Sequence, residues 1–251
     1  MDLPVVSGHP AVDRYLADGF GEVPGMSSRF AAAICARVVR RQAELGIAGP
    51  VAEIGAFEGR FLIALALALK DGERAFGLDT FAWPDEGLEA RFIANCRAHG
   101  VAERVSAVRC DSRSLDPPAL KAILGGEARF LHLDGDHKAE SLAHDLGLAH
   151  AVLHRDGVIC LDDMLHPEFP FLVVAVHDYL RAHPEMRLLC VIDREDIVAA
   201  AKFLLCRAEA VALYEADLMA RFSAVHYTLG GDALGHLCVV LTPKPRIFAL
   251  S

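Results

Sequence analysis

A chain of 251 residues, 53% hydrophobic and 24% charged, is long enough for one large α/β domain or two small ones. That composition excludes wholesale disorder and collagen-like or low-complexity architecture. The net charge of −9 repels phosphate backbones, and the small basic group Arg37, Arg40 and Arg41 on one predicted helix does not make a nucleic-acid footprint.

The first predicted elements follow Gly49-Pro50. Val51–Gly55 reads as a strand, Phe61–Lys70 as a helix, Arg74–Asp79 as a strand and Leu88–His99 as a helix. Val105–Cys110, Phe130–Asp134 and Gly157–Leu161 read as three more strands, separated by helices at Pro118–Leu124 and Lys138–His154. Such alternation predicts right-handed βαβ units and a parallel sheet covered on both faces. Phe171–Ala182 reads as a helix. Arg187–Ile192 and Lys202–Cys206 then read as strands whose short link forces them to pair antiparallel. A helix over Ala208–Phe222 and a strand near His236–Leu241 end the chain. No linker or repeat interrupts it, so one domain over 1–251 is expected: a helical region to 48, a core over 49–206 and an extension over 207–251.

The longest apolar run, Phe61–Leu69, is far short of a membrane span. The N-terminal MDLPVVSGHP has neither the basic start nor the apolar core of a signal peptide. Seven scattered cysteines without CxxC spacing read as reduced thiols. A cytoplasmic protein is expected, and its apolar tail admits a homo-oligomer.

Ligands of open parallel sheets bind beyond the carboxyl ends of the strands. Here those ends carry Glu53-Ile-Gly55-Ala-Phe57-Glu-Gly59, Asp79-Thr80-Phe81, Asp111-Ser112, Asp134-Gly-Asp136-His137 and Asp162-Asp163. The glycines let a ligand approach the backbone, but E-x-G-x-x-x-G is not the dinucleotide fingerprint, and Glu53 suits a cationic or hydroxyl-bearing guest. Asp79 is placed to accept ribose hydroxyls, and Asp111 with Ser112 to meet an adenine edge, although each also suits a turn or helix cap. Phe81 and Trp83 either wall the adenine or close the core. Together these residues describe an adenosine pocket without a phosphate, for which S-adenosylmethionine (SAM) is the candidate.

VAEIGAFEGRFLIALA, GLDTF, CDS, FLHLDGDHKAESLAHDL and GVICLDDM, in that order, resemble a class I SAM-dependent methyltransferase, and more narrowly the macrocin-type sugar O-methyltransferases. The resemblance implies a Rossmann-like, doubly wound seven-stranded sheet, order 3-2-1-4-5-7-6, with strand seven antiparallel. It implies cofactor contacts from Glu53, Gly55, Phe57, Gly59, Asp79, Thr80, Phe81, Asp111, Ser112 and Asp134. In that order Asp134, Asp136, Asp162 and Asp163 converge, and carboxylates so close invite a cation. The resemblance makes Asp134, Asp162 and Asp163 ligands of Mg²⁺ or Mn²⁺, and Asp136 the base. His137 is the alternative base by its ordinary pKa. His132 is expected to pack within the sheet. His150 and His154 stand at metal-ligand spacing without an evident third ligand. The expected activity is O-methylation of a hydroxylated small molecule, such as a sugar or secondary metabolite. A metal-dependent hydroxylase related to the cephalosporin hydroxylases, or a non-catalytic SAM-binding protein, is the alternative.

Overall fold

A computed structural model describes residues 6–228 and 233–243. Its centre is one sheet built from β1 (Val51–Ile54), β2 (Ala75–Asp79), β3 (Val105–Arg109), β4 (Ala128–Leu133), β5 (Leu153–Met164), β6 (Met186–Ile192), β7 (Ala201–Arg207), β8 (His226–Thr228) and β9 (Val239–Leu241). The order is β3-β2-β1-β4-β5-β7-β6-β9-β8. The first seven places are those expected, and β7 runs antiparallel to both β5 and β6. The extension differs from expectation. β9 joins β6 in parallel and β8 folds back on β9, so the described sheet has nine strands rather than seven. A three-residue strand such as β8 is too short to show an alternating pattern in sequence.

Helices cover both faces, as parallel strands require. On one face lie α1 (Pro10–Arg14), α2 (Arg29–Glu44), α3 (Arg60–Leu67), α4 (Leu88–Ala98) and α8 (Val211–Arg221). On the other lie α5 (Pro117–Leu124), α6 (Ala139–Val152) and α7 (Phe171–Ala182). Helix ends are set by ordinary chemistry. Ser28 caps α2 by accepting from Ala31 N–H at 2.9 Å, and Asp116 caps α5 by accepting from Ala119 N–H at 2.8 Å. The basic group of α2 is neutralised locally: Arg37 bonds Asp217 and Glu44, and Arg41 lies 3.6 Å from Glu44. All seven cysteines are free.

The period of two along a strand decides which side chains meet. Val51, Phe130, Val158, Cys160 and Leu204 face the α2–α3 layer, whereas Ala52, Leu131, Ile159 and Leu205 face α6. By the same alternation Glu53, His132, Asp162 and Lys202 fall on the α2–α3 side of β1, β4, β5 and β7. All four are buried. They form one polar row across an otherwise apolar layer.

Candidate active site

A cavity of about 530 Å³ opens at the carboxyl ends of β1, β2, β3 and β4, within the range of small-molecule sites. Its floor is the β1–α3 turn. Gly55 has φ +88°, and a Cβ there would stand 1.8 Å from the Asp134 carbonyl oxygen. Only glycine lets the turn pass that close to β4. Gly59 has φ +87° and begins α3.

Asp79 governs this turn. Its Oδ2 accepts from Phe57 N–H at 2.9 Å and its Oδ1 from Phe81 N–H at 2.8 Å. Phe57 and Phe81 have φ of 46° and 51°, in the left-handed region that non-glycine residues rarely enter. The carboxylate therefore fixes both loops and also faces the cavity. Asp79→Ala is expected to cost about 2–4 kcal/mol, from two hydrogen bonds to a charged acceptor, and to weaken cofactor affinity. Thermal denaturation alongside calorimetry checks both effects.

Glu53, Gly55, Phe57, Asp79, Thr80, Asp111, Ser112, Asp134, Asp136 and His137 all line the cavity. Gly59 lies just beneath, at the start of α3. Phe81 does not wall the cavity. It is fully buried and packs 5.5 Å from Phe92, because Asp79 holds its backbone turned inward. Trp83 does line the cavity, 68% exposed, with its ring 5.8 Å from Phe57. Asp111 combines two expectations: it bonds Arg113 at 2.8 Å and caps a short turn while facing the cavity. Residues unread in the sequence close the remaining side. Arg60 donates to the carbonyls of Val23 and Gly25, holding Pro24–Ser27 against the opening. Backbone carbonyls carry no sequence signal, so this strap was illegible.

Glu53 is 2% exposed. Its Oε1 lies 2.7 Å from His132 Nδ1, while Oε2 is buried without a hydrogen-bond partner. A buried carboxylate oxygen left unpaired is costly, and a cationic ligand group is the partner that removes the cost. The ammonium of an amino-acid tail fits that place. SAM thus fits the donor set: Glu53 for the tail, Gly55 for close approach, Asp79 for ribose hydroxyls, and Asp111 with Ser112 for the base.

The expected divalent-metal ligands do not fit as a set. Asp162 Oδ1 accepts from Asp163 N–H at 2.7 Å, and Oδ2 is bonded by the buried Lys202 ammonium. Lys202 is fully buried, 3.3 Å from His132 Nε2 and 4.8 Å from the Phe61 ring centroid. Burial alone would push the Asp162 carboxyl up, but Lys202 and His132 outweigh it and hold the group below the usual carboxylate range. Asp134 is pushed well above that range by burial and then by the Asp162 charge. A different trio, Asp134, His137 and Asp163, brings one donor atom each within 4.8 Å of one another.

His137 and Asp163 form a pair of their own. His137 Nδ1 lies 3.1 Å from Asp163 Oδ2, and its ring centroid is 4.4 Å from that of Phe169, the two planes tilted by 42°. Asp163 reaches there from a bulge in β5, at φ 57°. Asp136, in contrast, accepts from Lys138 Nζ and Ser141 Oγ, each at 3.0 Å. The Lys138 bond holds its carboxyl below the usual range.

Residues 52–164 match the model of a methyltransferase domain. No curated protein matches by sequence. Among solved structures, the chain resembles the O-methyltransferase TomG from Streptomyces achromogenes, involved in tomaymycin synthesis and solved with SAM (18% identity, 78% of this chain and 89% of that chain, TM-score 0.56). Cofactor-bound Rv0187 from MTB gives 22% identity over 78% and 88%, with TM-score 0.56. CalS11, a TDP-rhamnose 3′-O-methyltransferase of calicheamicin biosynthesis, gives 18% identity over 80% and 92%, with TM-score 0.51. The match over 52–164, the sheet order and these likenesses give the chain a methyltransferase-domain match on the fold of the class I SAM-dependent methyltransferases.

Proposed function

We propose that the protein methylates a hydroxyl of a small molecule, with His137 as the base. The observation that carries this reading is the His137–Asp163 pair at the cavity wall, beside an Asp136 already committed to Lys138 and Ser141. Bound SAM supplies an electrophilic methyl group on a sulfonium. Glu53 holds the cationic tail, the Gly55 turn admits the ligand to the backbone, and Asp79 orients the sugar. Positioning of this kind can supply several orders of magnitude in rate.

Asp163 Oδ2, 3.1 Å from His137 Nδ1, favours the proton on that nitrogen, which leaves Nε2 to accept the substrate hydroxyl proton. The hydroxyl proton passes to Nε2 as the O–C bond to the methyl forms and the methyl–sulfonium bond breaks, its electron pair staying on sulfur to leave a neutral thioether. Phe169 helps to hold the ring through a tilted ring contact. Asp136, its charge stabilised by Lys138, is the weaker base. The sugar or secondary-metabolite acceptor is proposed on the likeness to O-methyltransferases such as TomG and CalS11. The described residues contain no helix long and apolar enough to cross a membrane.

His137→Ala is expected to lower kcat by about 10²–10⁴-fold while leaving affinity for S-adenosylhomocysteine (SAH) unchanged. Methyl transfer from labelled SAM to a panel of sugars and phenols measures the first quantity, and calorimetry the second. Full turnover in His137→Ala with loss in Asp136→Asn would reverse the assignment.

A further inference from the structure

We propose that Lys202 is the resident cation of the acidic cluster, standing where the family resemblance implies a divalent metal. The row Glu53–His132–Asp162–Lys202 crosses four adjacent strands on one face, and its last member brings a permanent positive charge under the carboxylates. Both oxygens of Asp162 are occupied, one by the Asp163 amide and one by Nζ. A divalent ion bound to Asp162 would have to displace a fully buried ammonium that bonds no other carboxylate among the described residues. Asp134 is drawn to the same charge: Lys202 and Asp134 attract one another, whereas Asp162 and Asp163 repel Asp134. Lys202 lines no part of the cavity, so it acts as a positioning residue rather than by touching substrate. It turns Asp162 into the sheet and leaves Asp163 free to orient His137. This inference rests on the proposed methyl-transfer site.

The test reads metal uptake directly, so the acceptor need not be known. Mn²⁺ is titrated into the protein with SAH present, and free Mn²⁺ is followed by electron paramagnetic resonance. A His183→Ala background removes the surface group described below. The Lys202 form is expected to leave the free-ion signal as in buffer. Lys202→Met, with the cluster relieved of its ammonium, is expected to take up about one Mn²⁺ per chain, and Lys202→Arg none. Uptake of one Mn²⁺ per chain by the Lys202 form overturns the proposal, whether or not the Met variant folds. So does a Lys202→Met chain that keeps its SAH affinity but takes up no Mn²⁺. SAH binding, measured calorimetrically on the same samples, reports separately on the methyltransferase site.

A separate observation lies at the other ends of α6 and α7. His150 meets not His154, which accepts from Asp156 N–H, but Tyr179 of α7 and Glu185 just beyond it. Glu185 Oε1 lies 3.5 Å from His150 Nε2 and 3.4 Å from His183 Nδ1. Ligands about 2.0–2.2 Å from a tetrahedral Zn²⁺ stand roughly 3.4 Å apart, so these edges match. His150 Nδ1 is 2.7 Å from the Tyr179 hydroxyl, the kind of outer hydrogen bond that fixes a ligating imidazole. We infer that His150, His183 and Glu185 bind a borderline transition-metal ion such as Zn²⁺, with water in the fourth position. Zn²⁺ competition against a chromogenic chelator is expected to show one ion per chain, weakened at least tenfold by His183→Ala and by His150→Ala, with a Zn²⁺-dependent rise in Tm. No uptake, or uptake indifferent to both substitutions, overturns it.

Discussion

Lys202→Met is expected to destabilise the protein by about 3–5 kcal/mol, because it strands the Asp162 carboxylate in the interior without its partner. Lys202 is fully exposed to neighbouring side chains and not at all to water, so solvent cannot take over the ammonium's role. In a chain of this length the loss corresponds to a Tm lower by about 10 °C in a thermal scan. Removing both charges, as Lys202→Met with Asp162→Leu, is expected to restore most of the loss, since an apolar pair can replace a buried ion pair. The pH dependence has a definite sign. Asp162 is held below its unfolded value, so the pair contributes fully at neutral pH, and its contribution is lost as pH falls from the ordinary carboxylate range into strong acid. Lys202→Met should therefore flatten the acid limb of the stability curve. A single variant within 1 kcal/mol of wild type would contradict the account.

Gly55→Ala carries the second large effect. The added methyl would meet the Asp134 carbonyl at 1.8 Å, and φ +88° is strained for any residue with a Cβ. Backbone of two central strands must separate to admit it. SAH binding is expected to be lost, and stability to fall by several kcal/mol, as for overpacking in a rigid core. Gly72→Ala is the control: φ is +83°, but nothing lies within 4 Å of the added Cβ. Its cost should be limited to the backbone strain, about 1–2 kcal/mol, with SAH affinity unchanged. Equal effects at the two glycines would show that conformation, and not the approach of β1 to β4, sets the turn.

Much of this site was legible because acid and glycine at the tips of parallel strands have few other reasons to recur together. Glu53, Gly55, Asp79, Asp111 and Asp134 were read that way; the alternation of strand and helix called for a parallel sheet, and the strand order came from the family resemblance. What escaped were relations across long separations. Lys202 begins an apolar strand, where a lone lysine reads as a solvated edge. Only the register of β7 against β5, Leu161 opposite Phe203, places it beside Asp162. The acidic residues suggested a divalent ion, whereas the ammonium bonded to Asp162 comes from 40 residues further along the chain, a relation no local pattern shows. Separations of 33 and 35 residues likewise hid His183 and Glu185 from His150. Phe81 was ambiguous for another reason: whether an aromatic after Asp79 points into the cavity or the core depends on backbone φ, which residue identity does not reveal.

The proposed methyl transfer requires that the tip of β1 receive the cationic tail of a sulfonium nucleoside. Calorimetry of SAH and of adenosine against wild type and Glu53→Gln tests it most directly. The account predicts one SAH per chain, weakened about tenfold or more by the substitution, as loss of a charged hydrogen bond implies, with adenosine affinity unchanged because adenosine lacks the tail. Equal weakening of both ligands, or SAH binding indifferent to Glu53→Gln, would contradict it.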